Sequence, residues 1–198
     1  MISHIISISQ PILKSRMYKI KITFLKRKLN KTKELDSITS LKLIKNGYIE
    51  IPSYVNILKD RCFFHCENLI SVDIKAPLIN FSDGCFSSCI NLKTINIPTT
   101  INKIDDFCFN GCVNLESINI PESVTSIGCS SFGSCIALKE IKLPSSIVEI
   151  KKYAFSNCTS LSSLSIPNRN VAIDKFAINR CTNLKIVLAS VETMKKLL

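Results

Sequence analysis

The chain has 198 residues, 46% of them apolar, so a single domain can bury a core without metals or partners to hold it together. The net charge is +11, and the longest uncharged stretches, 123–138 and 153–168, are sixteen residues each and rich in Ser, too short to cross a bilayer as a helix. Two His, five Gly and no Trp, with no P-loop, no Gly-x-Gly-x-x-Gly and no Gly-x-Ser-x-Gly, argue against an enzyme, a cofactor and a small-molecule substrate.

Charge divides the chain near residue 46. Residues 1–46 hold eleven Lys or Arg against Glu34 and Asp36, a balance of +9, while residues 47–198 carry only +2. Any polyanion contact therefore belongs to the arm, within residues 14–33, where Lys26, Arg27, Lys28, Lys31 and Lys33 form its basic cluster. Ser3, His4, Ser7, Ser9, Gln10 and Pro11 interrupt the apolar start, and the charges come after it, so the segment makes a poor secretory signal. Organelle import is also disfavoured, because the segment has only two Arg and no amphipathic helical stripe. Tyr18, Ile20, Ile22 and Phe24 alternate with Lys19, Lys21 and Thr23, the period of a half-buried strand that would cap the body of the chain.

From residue 47 onward the chain repeats. Cys66, Cys89, Cys112, Cys135, Cys158 and Cys181 are spaced by 23 residues without an insertion. Each is followed three residues later by Leu69, Leu92, Leu115, Leu138, Leu161 or Leu184, and preceded three residues earlier by Phe63, Phe86, Phe109, Phe132, Phe155 or Ile178. Two strand columns come next, Val72, Ile95, Ile118, Ile141, Leu164, Val187 and Ile74, Ile97, Ile120, Leu143, Ile166, Ala189, with Pro98, Pro121, Pro144 and Pro167 closing the strands because proline has no N–H to donate. A further column is Leu58, Phe81, Ile104, Ile127, Ile150, Ile173. The spacing of Val124, Ile127, Phe132 and Cys135 predicts one or two helical turns returning behind each strand.

The unit Leu-x-x-Ile-x-Ile-Pro contains the strand of a leucine-rich repeat, and 23 residues lies within that class's range. The expected fold is an α/β repeat solenoid of six 23-residue coils, with short parallel strands about 4.8 Å apart on one face and short helical turns on the other. Phe109 should lie between Phe86 and Phe132 of the adjacent coils. The domain reading is a basic arm over 1–46, a solenoid over 47–189 and a capping helix over 190–198. Ile49, Ile51 and Pro52 begin the solenoid as a degenerate half-repeat. At the far end, Ser190 is placed as N-cap, with Val191, Met194, Leu197 and Leu198 turned inward.

The segment 123–144, SVTSIGCSSFGSCIALKEIKLP, closely resembles the repeat of BspA-type leucine-rich repeat proteins, Val-x-x-Ile-x-x-x-Ala-Phe-x-x-Cys-x-x-Leu-x-x-Ile-x-Ile-Pro. The resemblance runs over about residues 49–190. It implies the solenoid fold and, from family members on the surfaces of bacteria and parasitic protists, adhesion or matrix binding.

The remaining signals have plain readings. Repeating Cys columns, including Cys62, Cys85 and Cys108 with Ser131, Ala154 and Ala177, point to reduced packing residues and away from a disulfide framework or a metal site. Cys129 stands in a polar column with Asp60, Asp83, Asp106, Lys152 and Lys175 and is expected to be an exposed thiol; the three Asp are read as first-turn carboxylates of the helical turns, more simply than as calcium ligands. His65, beside Cys66, falls in a column of Ser88, Gly111, Ser134, Asn157 and Arg180, which reads as a variable turn and not as a Cys–His nucleophile. The candidate binding surface is the outward lattice of the strand face: Ser71, Asp73, Thr94, Asn96, Ser117, Asn119, Glu140, Lys142, Ser163 and Ser165, small and polar and without the Trp, Tyr or Arg that anchor tight interfaces.

The expected function is a non-enzymatic protein-interaction scaffold whose partner is a protein. A cell-surface adhesin is the alternative implied by the resemblance, and association of the basic arm with nucleic acid or acidic membrane is a further one. The lack of a signal-like start and the packing cysteines favour the cytoplasm; the resemblance favours the cell surface. Sequons begin at Asn30, Asn80 and Asn157.

Overall fold

The computed structural model describes residues 33–36 and 44–197. Its strands, in chain order, begin with β1 (Glu34–Leu35), β2 (Tyr48–Ile51), β3 (Ile57–Leu58), β4 (Ser71–Ile74), β5 (Asn80–Phe81), β6 (Thr94–Ile95) and β7 (Lys103–Ile104). They continue with β8 (Ser126–Ile127), β9 (Glu140–Lys142), β10 (Glu149–Ile150), β11 (Ser163–Ser165), β12 (Ala172–Ile173) and β13 (Ile186–Leu188), and the helix α1 (Val191–Leu197) comes last. Strands pair in parallel with partners 23 residues apart, as Val72 with Ile95 and Ile104 with Ile127. The chain is thus a leucine-rich repeat solenoid whose pitch is the sequence period.

Most coils supply two strands. The first follows Leu of the repeat and ends at Pro, whose carbonyl then accepts from the N–H three residues on: Val55 N–H to Pro52 (3.0 Å), Ile101 to Pro98 (3.1 Å) and Val124 to Pro121 (3.0 Å). That turn leads into the second strand, the column of Leu58, Phe81, Ile104, Ile127, Ile150 and Ile173. Strands β5, β7, β8, β10 and β12 form one five-stranded parallel sheet. Pairing of β1 with β3 carries the same columns one period further back, to a fully buried Leu35.

The return segments are not helical, contrary to the reading of Val124, Ile127, Phe132 and Cys135. Ile127 is a strand residue, and the Phe and Cys of each repeat sit in successive three-residue turns such as Phe64 N–H to Arg61 and Cys66 N–H to Phe63 (both 3.0 Å). Left-handed residues punctuate these turns, Arg61 (φ 56°), His65 (φ 55°), Ser88 (φ 59°) and Ser134 (φ 57°) among them, and each one interrupts helical propagation. Alternate N–H groups then point along the solenoid axis. Arg61, Phe63 and His65 donate to the carbonyls of Asp83, Cys85 and Ser87 in the next coil at 2.9, 2.7 and 3.0 Å. The turns are therefore stacked by backbone hydrogen bonds, as the strands are.

The strand face is likewise not one continuous sheet. It is two three-stranded sheets, β2-β4-β6 and β9-β11-β13. Between them residues 115–120 extend without strand pairing, and Ile118 is only half-buried, where its counterparts Ile95 and Ile141 are buried.

Inside, Phe63, Phe86, Phe109, Phe132 and Phe155 form a continuous column of parallel rings with centroids 5.0, 5.4, 5.3 and 5.4 Å apart. Phe81 meets Phe86 and Phe109 edge-on. Such packing adds about 0.5–1.5 kcal/mol per pair to the apolar burial. Gly128 is required by close approach, since a Cβ there would fall 2.6 Å from the backbone of Asp105 and Asp106.

At the C-terminal end Ser190 Oγ accepts the Thr193 N–H at 3.2 Å and starts α1, a standard N-cap. Thr193 is buried and Leu197 packs against the core, whereas Val191, placed inward from the sequence, is 74% exposed. With the first turn anchored through Thr193, Val191 falls on the opposite side of so short a helix. Leu198 lies outside the described residues, as do Tyr18, Ile20, Ile22 and Phe24. Among the described residues no helix is long and apolar enough to cross a membrane.

Candidate functional site

The ten cysteines are free thiols. In the main column each thiol from Cys89 onward donates to the carbonyl of the Phe in the preceding coil: Cys89 to Phe63 (3.0 Å), Cys112 to Phe86 (3.2 Å), Cys135 to Phe109 (3.2 Å), Cys158 to Phe132 (3.1 Å) and Cys181 to Phe155 (3.0 Å). Cysteine suits the position because it is small, apolar enough to bury and still a donor. Burial pushes the Cys66 thiol up to about 11 and the Cys112 thiol up to about 12, and holds Cys85, Cys108 and Cys135 well above the usual thiol range. A nucleophilic cysteine needs the opposite shift. His65 is exposed, and its left-handed backbone together with that of Ser88, Gly111, Ser134, Asn157 and Arg180 explains the column: the turn sets φ and leaves the side chain to vary.

The second Cys column ends in an exception. Ser131 is fully buried and its Oγ has no hydrogen-bond partner, where Cys, Ala154 and Ala177 stand in equivalent coils. Cys129 is half-buried, not exposed, with its N–H held at 2.8 Å by the Asp106 carboxylate. Asp60, Asp83 and Asp106 precede no helix, so they are not first-turn carboxylates. Asp106 instead ties its coil to the next, and Asp83 is raised by partial burial and by the neighbouring charges of Asp105, Asp106 and Asp60. Among the described residues no group of His, Cys, Asp and Glu is arranged to hold a metal.

Of the lattice residues, Ser71, Asp73 and Thr94 lie on the N-terminal sheet, with Ser71 opposite Thr94 and their hydroxyls 3.0 Å apart. Asn96 is exposed just past β6. Glu140, Lys142, Ser163 and Ser165 lie on the C-terminal sheet, Glu140 opposite Ser163 and Lys142 opposite Ser165. Ser117 and Asn119 lie on the unpaired stretch between the sheets, both exposed.

Sequence reasoning missed the two ends of this face. Tyr48, 45% exposed, lies opposite Ser71, and Glu50 lies opposite Asp73. The Tyr48 hydroxyl donates to Asp73 at 3.5 Å, and Lys75 pairs with the same carboxylate at 3.0 Å. Partial desolvation, then the charges of Asp73 and Glu50, raise the Tyr48 hydroxyl above its usual value. At the other end Leu188, 60% exposed, extends the Lys142–Ser165 row. The face therefore does carry an aromatic and a large aliphatic side chain, and the same 23-residue count run past either end of the Cys series would have found both. In the basic arm Lys26, Arg27, Lys28 and Lys31 lie outside the described residues. Lys33 is exposed and left-handed, and its carbonyl receives the Asn56 N–H at 3.0 Å.

Comparison with known proteins agrees with this architecture. A leucine-rich repeat protein from Bacteroides ovatus ATCC 8483 is 33% identical, with a TM-score of 0.69, over 73% of this chain and 37% of that one. The leucine-rich repeat protein of T. pallidum is 26% identical, with a TM-score of 0.65, over 74% of this chain and 71% of that one. A leucine rich cell surface protein from Faecalibacterium prausnitzii A2-165, at 22% identity and a TM-score of 0.60 over 76% of this chain and 50% of that one, shares the fold. This chain thus spans little more than a third of the B. ovatus protein. A search of curated proteins finds no match. The profile of the BspA type leucine rich repeat region matches residues 42–128 and 102–196 in six copies, and the chain belongs to that family.

Proposed function

We propose that the protein is a non-enzymatic scaffold that binds a protein partner through its strand face. The observation that carries this reading is the pair of in-register rows of outward side chains on backbones fixed by parallel pairing, Tyr48, Ser71 and Thr94 on one sheet and Glu140 and Ser163 on the other. A surface whose backbone is already ordered loses little conformational entropy when it is covered. Tyr48 and Leu188 supply the apolar contacts, and the Ser, Thr and Asn between them supply hydrogen bonds. The test is to replace Asn96 and Ser117 with Arg, both exposed, and to follow capture of partners by the immobilised full-length chain together with its thermal unfolding. Loss of a captured protein with unfolding unchanged supports the reading; unchanged capture refutes it.

A second reading rests on residues 1–32, which hold eight Lys or Arg and no acid. Binding to nucleic acid or acidic membrane through this segment predicts heparin retention at low salt that disappears when 1–32 is deleted. The deletion stops there because Leu35 belongs to the second ladder. Retention by the shortened chain would sink it.

A further inference from the structure

One edge of the solenoid, at the end of the second ladder, has an internal antisymmetry. Going up the coils, its central column is Asp60, Asp83, Asp106, Cys129, Lys152, Lys175. The column before it contains Asp105, Gly128 and Lys151, and the column after it Phe107, Ser130 and Tyr153, then Phe176. About the coil of Gly128, Cys129 and Ser130, acid on one side answers base on the other, and aromatic answers aromatic.

The side chains are placed to be used. Phe107 is 49% and Phe176 37% exposed, large apolar groups at turn positions. Asp60 is exposed and Asp83 is exposed, and neither forms an ion pair among the described residues. Lys152 and Lys175 are exposed too, and rest on rings: Lys152 lies 4.9 Å from the Tyr153 centroid and 5.3 Å from that of Phe176, and Lys175 lies 4.9 Å from Phe176. Asp105 is engaged within its own chain, accepting from Asn80 at 3.0 Å and pairing with Lys103, and Lys151 lies 3.9 Å from Asp106. At the midpoint stand the smallest groups, Gly128 and the half-buried Cys129.

From this juxtaposition we propose that the edge pairs with the same edge of a second copy of the chain, antiparallel, about a two-fold axis perpendicular to the solenoid axis at the level of Cys129. Coil spacing is the same in both copies, so the rungs on either side of Cys129 stay in step. Asp106 faces Lys152 of the second copy, Asp83 faces Lys175 and Phe107 faces Tyr153, each twice by symmetry. Phe176 falls over Gly84, which has no side chain to obstruct it. The crowding of Asp83, Asp105 and Asp106 is relieved by the arriving lysines. A strip this narrow makes a weak, concentration- and salt-dependent dimer.

The experiment is sedimentation equilibrium of the full 198-residue chain at low salt, with Asp83→Lys, Lys175→Asp and the double variant. Both residues are exposed, so folding is not at stake. Each single reversal should weaken dimerisation by about tenfold or more, and the double variant, which restores opposite charges on both symmetric rungs, should recover it. A short bismaleimide, adding one thiol across each of its double bonds, should join wild-type chains through Cys129 and fail with Cys129→Ser. A chain that stays monomeric, single reversals without effect, a double variant that does not recover, or a crosslink that persists in Cys129→Ser overturns the proposal.

Discussion

Replacing Phe109 with Ala tests the stacked interior. Phe109 is fully buried, stacked on Phe86 at 5.4 Å and Phe132 at 5.3 Å, and touched edge-on by Phe81 at 5.8 Å. Removing a buried Phe costs about 3–5 kcal/mol for transfer and cavity together, and three ring contacts of about 0.5–1.5 kcal/mol each place this site at the upper end. The expected loss is about 4–5 kcal/mol, read as the drop in unfolding free energy from urea titration. In a solenoid a coil is supported only by its neighbours, so position along the stack matters as well as chemistry. Phe63 has a single stacked ring, Phe86 at 5.0 Å, and Phe63→Ala should cost about 1 kcal/mol less than Phe109→Ala. A Phe109→Ala loss below about 2 kcal/mol, or an equal loss at Phe63, would refute a continuous ring column as the core of the fold.

Three further changes probe other contacts. Ser131→Ala removes a buried hydroxyl with no partner from a column that already accepts Ala154 and Ala177, and should raise stability by about 1 kcal/mol in the same titration; a loss would mean that the hydroxyl is satisfied. Gly128→Ala drives a methyl into the backbone of Asp105 and Asp106 and should cost about 1–3 kcal/mol, seen as a lower melting temperature. For thiol chemistry the sign follows from burial: raised values mean less thiolate, so at neutral pH alkylation followed by mass spectrometry should find Cys129 and Cys181 modified in the native protein, with Cys85, Cys108 and Cys135 modified only on unfolding. Native labelling of Cys108 would contradict the closed interior.

How far the fold could be read from sequence depended on what the 23-residue period reports. It places side chains in columns, so the Phe stack, the Cys column and the strand face were legible. It says nothing of backbone direction inside a turn. Val124, Ile127, Phe132 and Cys135 have helical spacing, yet the left-handed conformations at Ser130 and Ser134 divert the N–H groups to the next coil, and Ser is not a residue that announces positive φ. The split of the strand face was equally hidden, because Leu115-Glu116-Ser117-Ile118-Asn119-Ile120 differs from Leu92-Lys93-Thr94-Ile95-Asn96-Ile97 only at two polar positions. Leu35 and Tyr48 were missed for another reason: around them the repeat decays, and only the count itself still marks their columns. On the candidate site, polarity and exposure were visible in the alternation, while the hydroxyl of Tyr48 on Asp73 requires the register of β2 on β4.

The strand face as the binding surface is tested most directly by photo-crosslinking in the protein's own cells, with a photoreactive residue at Asn96 on that face and, separately, at Thr125 on the second ladder, both exposed. A discrete protein adduct is expected from position 96 and none from position 125. Adducts from 125 alone, or equal adducts from both, would contradict it.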